Sequence, residues 1–165
     1  MLLMSPASLT TEPTCAICAL HQNSPQLGRM EIWRGEHWLL RHHPHPSPLI
    51  GWCLLDARRH CGGPSDFKAV EAADWGCAVQ RASLLVKQVS SCDRVYAIAF
   101  GEGARHLHLH LIPRFSGISE TEAWAVADLY RDVQSKRRSA AVESEVDAWI
   151  QAARHEALSL MVSTL

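Results

Sequence analysis

Polar and apolar residues alternate without a break from position 106 to 111, reading His, Leu, His, Leu, His, Leu. A period of two belongs to a β-strand with unlike faces. Leu107, Leu109 and Leu111 are expected to turn into a core, and His106, His108 and His110 away from it. Pro113 has no N–H to give and is expected to end the ladder. Positions 94–100 alternate in the same way, and Gly101-Glu102-Gly103 joins the two segments so tightly that they must be antiparallel neighbours. The histidine strand is therefore expected inside a sheet. Positions 31–34 and 37–41 predict two further strands around a Gly35-Glu36 turn, and the apolar run 49–55 predicts a buried one.

Elsewhere the period is helical. Ser65 or Asp66 can cap a helix reaching about residue 89, with Phe67, Val70, Ala73, Cys77 and Leu84 as its core stripe. Cys77 is then a packing residue. Ser119-Glu120-Thr121-Glu122 is a capping box for a helix carrying Trp124, Ala127, Leu129 and Tyr130. Val142, Val146, Trp149, Ala153 and Ala157 mark a second helix, and the basic run Lys136-Arg137-Arg138 between them is expected in solvent. Pro44, Pro46 and Pro48 forbid helix and sheet, so 41–48 is an extended loop whose His42, His43 and His45 are expected to be solvated. The fold class expected is α+β, an antiparallel sheet of about five strands with one long helix packed on it, plus C-terminal helices. The chain divides into a flexible lead-in (1–13), a main domain (14–115) and a helical extension (116–165) that packs on the domain or on a partner subunit.

Composition narrows the function classes. With 165 residues, 47% hydrophobic and 20% charged, the chain reads as one ordinary globular domain with an appendage. A net charge of −1 argues against a bulk grip on nucleic acid. No membrane span and no signal peptide are expected, and six cysteines without a secretion signal read as reduced thiols or metal ligands in the cytoplasm. Among ten histidines, three in a row on one strand face form a concentration of nucleophiles, proton carriers or metal ligands. Cys15-x-x-Cys18 is half of a tetrahedral zinc site. A redox pair is the other reading, although no strand precedes it as a thioredoxin-like motif requires.

Positions 106–112 read His-apolar-His-apolar-His-apolar-apolar, which resembles the signature of the histidine triad (HIT) superfamily of nucleotide hydrolases and nucleotidyl transferases. Pro48-Leu49-Ile50-Gly51, the apolar run and Arg58-Arg59-His60 are similar to a second segment of that superfamily, and the likeness spans residues 15–114. The resemblance implies a HIT-like catalytic domain over 14–115. Its catalytic residues would be His108 as nucleophile at an α-phosphorus, His110 on the phosphate and His106 in support. Substrate contacts would come from His110, Arg105, Glu102 and Arg114. It further implies a structural zinc on Cys15, Cys18, His60 and His106, with Cys61 the rival of His60, together with no organic cofactor and a homodimer. The substrate class implied is a dinucleoside polyphosphate or a nucleoside phosphoramidate. The loop 100–105 departs from the superfamily pattern: Glu102 stands at a Gln position and Gly103 at a hydroxyl position. Two other readings stay open, a zinc-dependent hydrolase with the triad histidines as metal ligands and a nucleotide-binding module that has lost catalysis.

Overall fold

A computed structural model of the chain describes residues 10–162; residues 1–9 of the expected lead-in lie outside the described residues. Two short helices, α1 (Ala16–Gln22) and α2 (Ser24–Met30), lead into strands β1 (Glu31–Arg34), β2 (Trp38–His42) and β3 (Cys53–Ala57). The long helix α3 (Ala69–Ser90) follows, then β4 (Arg94–Ala99) and β5 (His108–Arg114), and finally α4 (Val126–Gln134) and α5 (Glu143–Val162). The five strands form one antiparallel sheet in the order β1-β2-β3-β5-β4, so β5 is interior as its sequence predicts. This is the expected α+β class, an antiparallel sheet with one long helix on it.

Alternation gives the sheet two faces. One carries Trp38, Leu40, Cys53, Leu55, Leu109 and Leu111 against α3 and α5, whose Ala82, Leu85, Val86, Trp149, Ile150 and Ala153 complete the main core. Within the extension, α5 packs against α3 and the sheet. The opposite face carries Arg41, Asp56, His108 and His110, with a smaller apolar cluster of Trp52, Ile112 and Val126 beside them. Gly51 makes the turn into β3 at φ +81, a conformation that side chains resist.

Several local expectations are corrected. The apolar run is half turn, and the strand begins only at Cys53. Residues Pro64–Asp66 form a single 3₁₀ turn, and α3 starts after Lys68, where Glu71 reaches back to the Lys68 N–H at 2.7 Å. The buried stripe of α3 is Glu71, Ala78, Ala82, Leu85 and Val86, whereas Val70, Cys77 and Leu84 are exposed. Ser119–Thr121 is also a 3₁₀ turn rather than a helix cap, because buried Thr121 Oγ1 accepts from the Phe115 N–H and binds Arg114. Trp124 is left 95% exposed ahead of α4. His42 and His43 are buried, against the expectation of solvation, and His45 is exposed.

Candidate catalytic and metal site

β3 and β5 bring the chemistry together by register. Asp56 lies opposite His108, and Leu54 opposite His110. His108 is half-buried, and its Nδ1 stands 2.6 Å from the His106 carbonyl. A carbonyl only accepts, so this nitrogen donates and the proton of a neutral ring resides there. Nε2 keeps its lone pair, which is the tautomer a nucleophile needs. His110 is held in the opposite sense. The Trp52 Nε1–H donates to its Nδ1 at 3.0 Å, so a neutral ring carries its proton on Nε2. That Nε2 is buried with no partner among the described residues. Burial, then the neighbouring charges of His108 and His43, push the His110 pKa down to about 3, so the ring stays neutral at pH 7. The rings of His108 and His110 are 5.2 Å apart, and Phe100 abuts His110 at 5.0 Å. A nitrogen lone pair and a buried N–H donor thus stand side by side, as attack on a phosphoryl group and stabilisation of its oxygens would require.

His106 has left this row. It precedes β5, donates Nε2–H to the Ala57 carbonyl at 2.7 Å and turns Nδ1 towards two sulfurs. Cys15 Sγ and Cys18 Sγ are each 3.5 Å from His106 Nδ1, and Cys18 Sγ is 3.5 Å from His60 Nδ1. All four ligand atoms lie within 4.8 Å of one another. Zinc with bonds of about 2.0–2.3 Å gives tetrahedral edges of about 3.3–3.8 Å, so the donor set fits that ion in type and the three separations of 3.5 Å match its edges. The Ala57 carbonyl fixes the His106 tautomer as an outer-shell partner should. Backbone N–H groups of Cys18 and Glu12 point at the two sulfurs at 3.5 and 3.4 Å. Burial raises the Cys18 thiol pKa, a cost that a dication would remove. Cys61, the rival of His60, is buried in the main core instead.

Beside both clusters lies a buried ionic network. Arg41 donates Nε to Asp56 Oδ2 at 2.6 Å and Nη2 to Oδ1 at 3.2 Å, and His21 Nε2 of α1 meets Oδ2 at 2.9 Å. Burial alone would raise the Asp56 pKa, but Arg41 and His21 outweigh it and hold it below the ordinary value. The hydropathy pattern gave no warning of this network, because a lone acid closing an apolar strand reads as a strand end. The other expected substrate residues are scattered. Glu102 and Arg105 are exposed on the loop before β5. Arg114 is buried at the far end of β5, where its Nη1 donates to the Phe115 and Ile118 carbonyls and to Thr121 Oγ1, and it is occupied by that turn.

No protein-family model and no curated protein sequence matches the chain. Solved structures do match in fold. A zinc-bound histidine triad family protein from Mycobacterium smegmatis superposes with a TM-score of 0.64 at 18% identity, covering 89% of this chain and 97% of that one. A Hit-like protein from Bartonella henselae, described as involved in cell-cycle regulation, gives 0.63 at 16% identity over 88% and 98%. A histidine triad protein from Bradyrhizobium japonicum gives 0.58 at 24% identity over 76% and 88%.

Proposed function

We propose that this chain, which has the fold of the histidine triad proteins, is a nucleotide hydrolase or nucleotidyl transferase working through a nucleotidyl-His108 intermediate. The observation that carries the reading is the pairing of tautomers: His108 presents Nε2 as a lone pair, and His110 presents Nε2–H as a buried donor without a partner. His108 Nε2 bonds to the α-phosphorus as the bond to the amine or phosphate leaving group breaks. That group departs with the electron pair and, if an amine, takes a proton from water. His110 donates to a non-bridging oxygen as charge builds there, and an attacking water or acceptor hydroxyl then breaks the bond from phosphorus to Nε2 and releases the nucleotide. Substrates are nucleotide conjugates of the phosphoramidate or dinucleoside polyphosphate class. The His106 carbonyl keeps the nucleophile in its reactive tautomer, and Trp52 does the same for the donor.

Cys15, Cys18, His60 and His106 would hold a zinc ion that is structural, since four protein ligands leave no open coordination position. Bound there, the ion ties the α1 segment to the strand carrying the nucleophile. The same count speaks against a zinc-dependent hydrolase, because His108 and His110 stand outside the ligand set. The reading extends to a homodimer in the cytoplasm; no helix of the described residues is long and apolar enough to cross a membrane.

The test is mass spectrometry of the protein after brief exposure to a slowly cleaved adenosine or guanosine phosphoramidate. One nucleotidyl group should map to His108. His108→Asn should take up no label, and turnover should fall at least about a thousandfold with the fold intact. An H108N protein that turns over at the wild-type rate would sink the proposal.

A further inference from the structure

The buried pair of Arg41 and Asp56 has no part in the scheme above. Its bond is side-on, with Arg41 Nε and Nη2 reaching the two oxygens of one carboxylate. Of the five guanidinium N–H groups, three are left over: both on Nη1 and the outer one on Nη2. The outer Nη2–H and the Nη1–H beside it form a second, end-on fork. Arg41 makes no other side-chain hydrogen bond among the described residues. The side chain is only 2% exposed, yet Nη1 is not among the fully buried unpaired atoms, so it keeps contact with solvent. Arg41 lines a cavity of about 360 Å³ between α1, α2 and Pro44, whose walls include apolar Ile17, Leu20 and Met30.

Register relates this cavity to the nucleophile. Arg41 lies opposite Leu54, and Leu54 opposite His110, so Arg41 and His110 share one row and one face of the sheet, two strands apart. At about 4.8 Å between neighbouring strands, their Cα atoms are about 10 Å apart.

Building on the nucleotidyl-histidine reading, we propose that Arg41 selects the base of the nucleotide, its free fork donating to O6 and N7 of a guanine or hypoxanthine ring seated in the cavity between α1 and α2. With the α-phosphate at His108 and His110, the sugar crosses β3 and brings the base over β2. Apolar walls suit a flat ring. Asp56 cancels the charge of Arg41, so the fork offers donors without net charge, which fit a neutral acceptor edge better than an anion. A 6-oxopurine presents two acceptors side by side at the spacing of the fork. Adenine sets an amino donor in place of O6, and that amino group would meet the fork donor to donor. Asp56 cannot serve it instead, because its oxygens are already taken by Arg41 and His21.

The test titrates the full-length protein with GMP, IMP and AMP by calorimetry and measures kcat/KM for the matching nucleoside phosphoramidates. Guanosine and inosine should be preferred over adenosine about 10–100-fold in both measurements. The 7-deazaguanosine and 2-aminopurine analogues, which lack N7 and O6 respectively, should lose most of that preference. Arg41→Lys keeps a charge against Asp56 without the fork, and should bring the ratio of guanosine to adenosine below about 3. If that variant does not fold, the analogues decide on the wild-type protein. Equal or reversed preference in the wild type overturns the assignment. So does a preference that survives loss of either acceptor, or a folded R41K protein that retains it. If no phosphoramidate is turned over, the nucleotidyl-histidine reading fails. The calorimetric order of GMP, IMP and AMP then still decides the role of Arg41, and absence of binding by all three refutes it.

Discussion

Glu71→Gln probes the joint between the long helix and the segment that delivers His60. Glu71 Oε2 accepts the Lys68 N–H at 2.7 Å and Arg59 Nη2 at 2.7 Å, and Oε1 accepts Arg59 Nε at 2.8 Å. Arg59 in turn donates to the Asp66 and His60 carbonyls. The amide keeps one acceptor oxygen and sets an NH₂ against donors that have no other carboxylate. A lost charge-assisted bond in this half-shielded place costs about 1–3 kcal/mol at pH 7. A loss near 2 kcal/mol corresponds to a melting temperature lower by about 4–8 °C for a chain of this size. The pH dependence supplies a second reading. Arg59 first, and then the Lys68 N–H, hold the Glu71 pKa at about 2 against an ordinary 4.5, with burial opposing them. The folded value is depressed, so the stabilisation is complete above about 4.5 and disappears as pH falls from there towards 2. Urea unfolding of both proteins at pH 7, 5, 4 and 3, with chelator present throughout, should show the gap between them closing below pH 4.5. Two curves that differ by less than about 0.3 kcal/mol at pH 7, or a gap that stays constant into acid, would refute the assignment of this energy to Glu71.

Four further outcomes are expected. Asp56→Asn strands the buried Arg41 guanidinium and should cost about 3–5 kcal/mol in chemical denaturation; a loss under about 1 kcal/mol would mean that the network is solvated. Trp52→Phe removes the N–H that orients His110, so kcat/KM should fall about tenfold or more while adduct still forms on His108; unchanged kinetics would release His110 from its assigned tautomer. Gly51→Ala places a Cβ 2.5 Å from Ser90 Oγ and 3.2 Å from the Trp149 ring at a positive φ, and thermal melts should show a loss above about 2 kcal/mol. His42 and His43 have pKa values of about 4 and His110 of about 3, each lowered chiefly by burial, so the unfolded chain binds more protons between pH 6.5 and 4. Stability should therefore decrease as pH is lowered across that window, by at most about 4 kcal/mol per pH unit if all three contribute, and a flat profile there would contradict their burial.

Where a local rule and a tertiary partner agree, the sequence is legible. Alternation over 94–99 and 108–112 locates β4 and β5, and the short connection expected between them makes them antiparallel before any coordinate is known. The observed connection runs over residues 100–107, because the histidine strand begins only at His108. Errors fall where two local patterns compete. Val70, Cys77 and Leu84 form as good an apolar stripe as the true one, but α3 buries Glu71, Ala78, Ala82 and Leu85, because Arg59 is there to meet the Glu71 carboxylate. Ser65 and Asp66 look like caps, but Asp66 is drawn to the Gly62 N–H at 2.8 Å and its turn ends before the helix begins.

The candidate site divides along the same line. Sequence alone determines which residue types can act, because an unbroken period of two puts three imidazoles on one strand face and C-x-x-C supplies two thiols at ligand spacing. It also determines the class of fold, since periods of two and of 3.6 follow from backbone geometry that every residue carries with it. The resemblance implies a separate task for each imidazole, and the tertiary structure shows the different surroundings in which each is held. His106 is drawn out of the row by sulfurs 88 and 91 positions away, and His108 and His110 take opposite tautomers from the His106 carbonyl and the Trp52 indole. Asp56 and Trp52 enter the site through register and burial. The reason is physical: tautomer, charge state and ligation are properties of a side chain's neighbours, and those neighbours are chosen by long-range packing that no local period encodes.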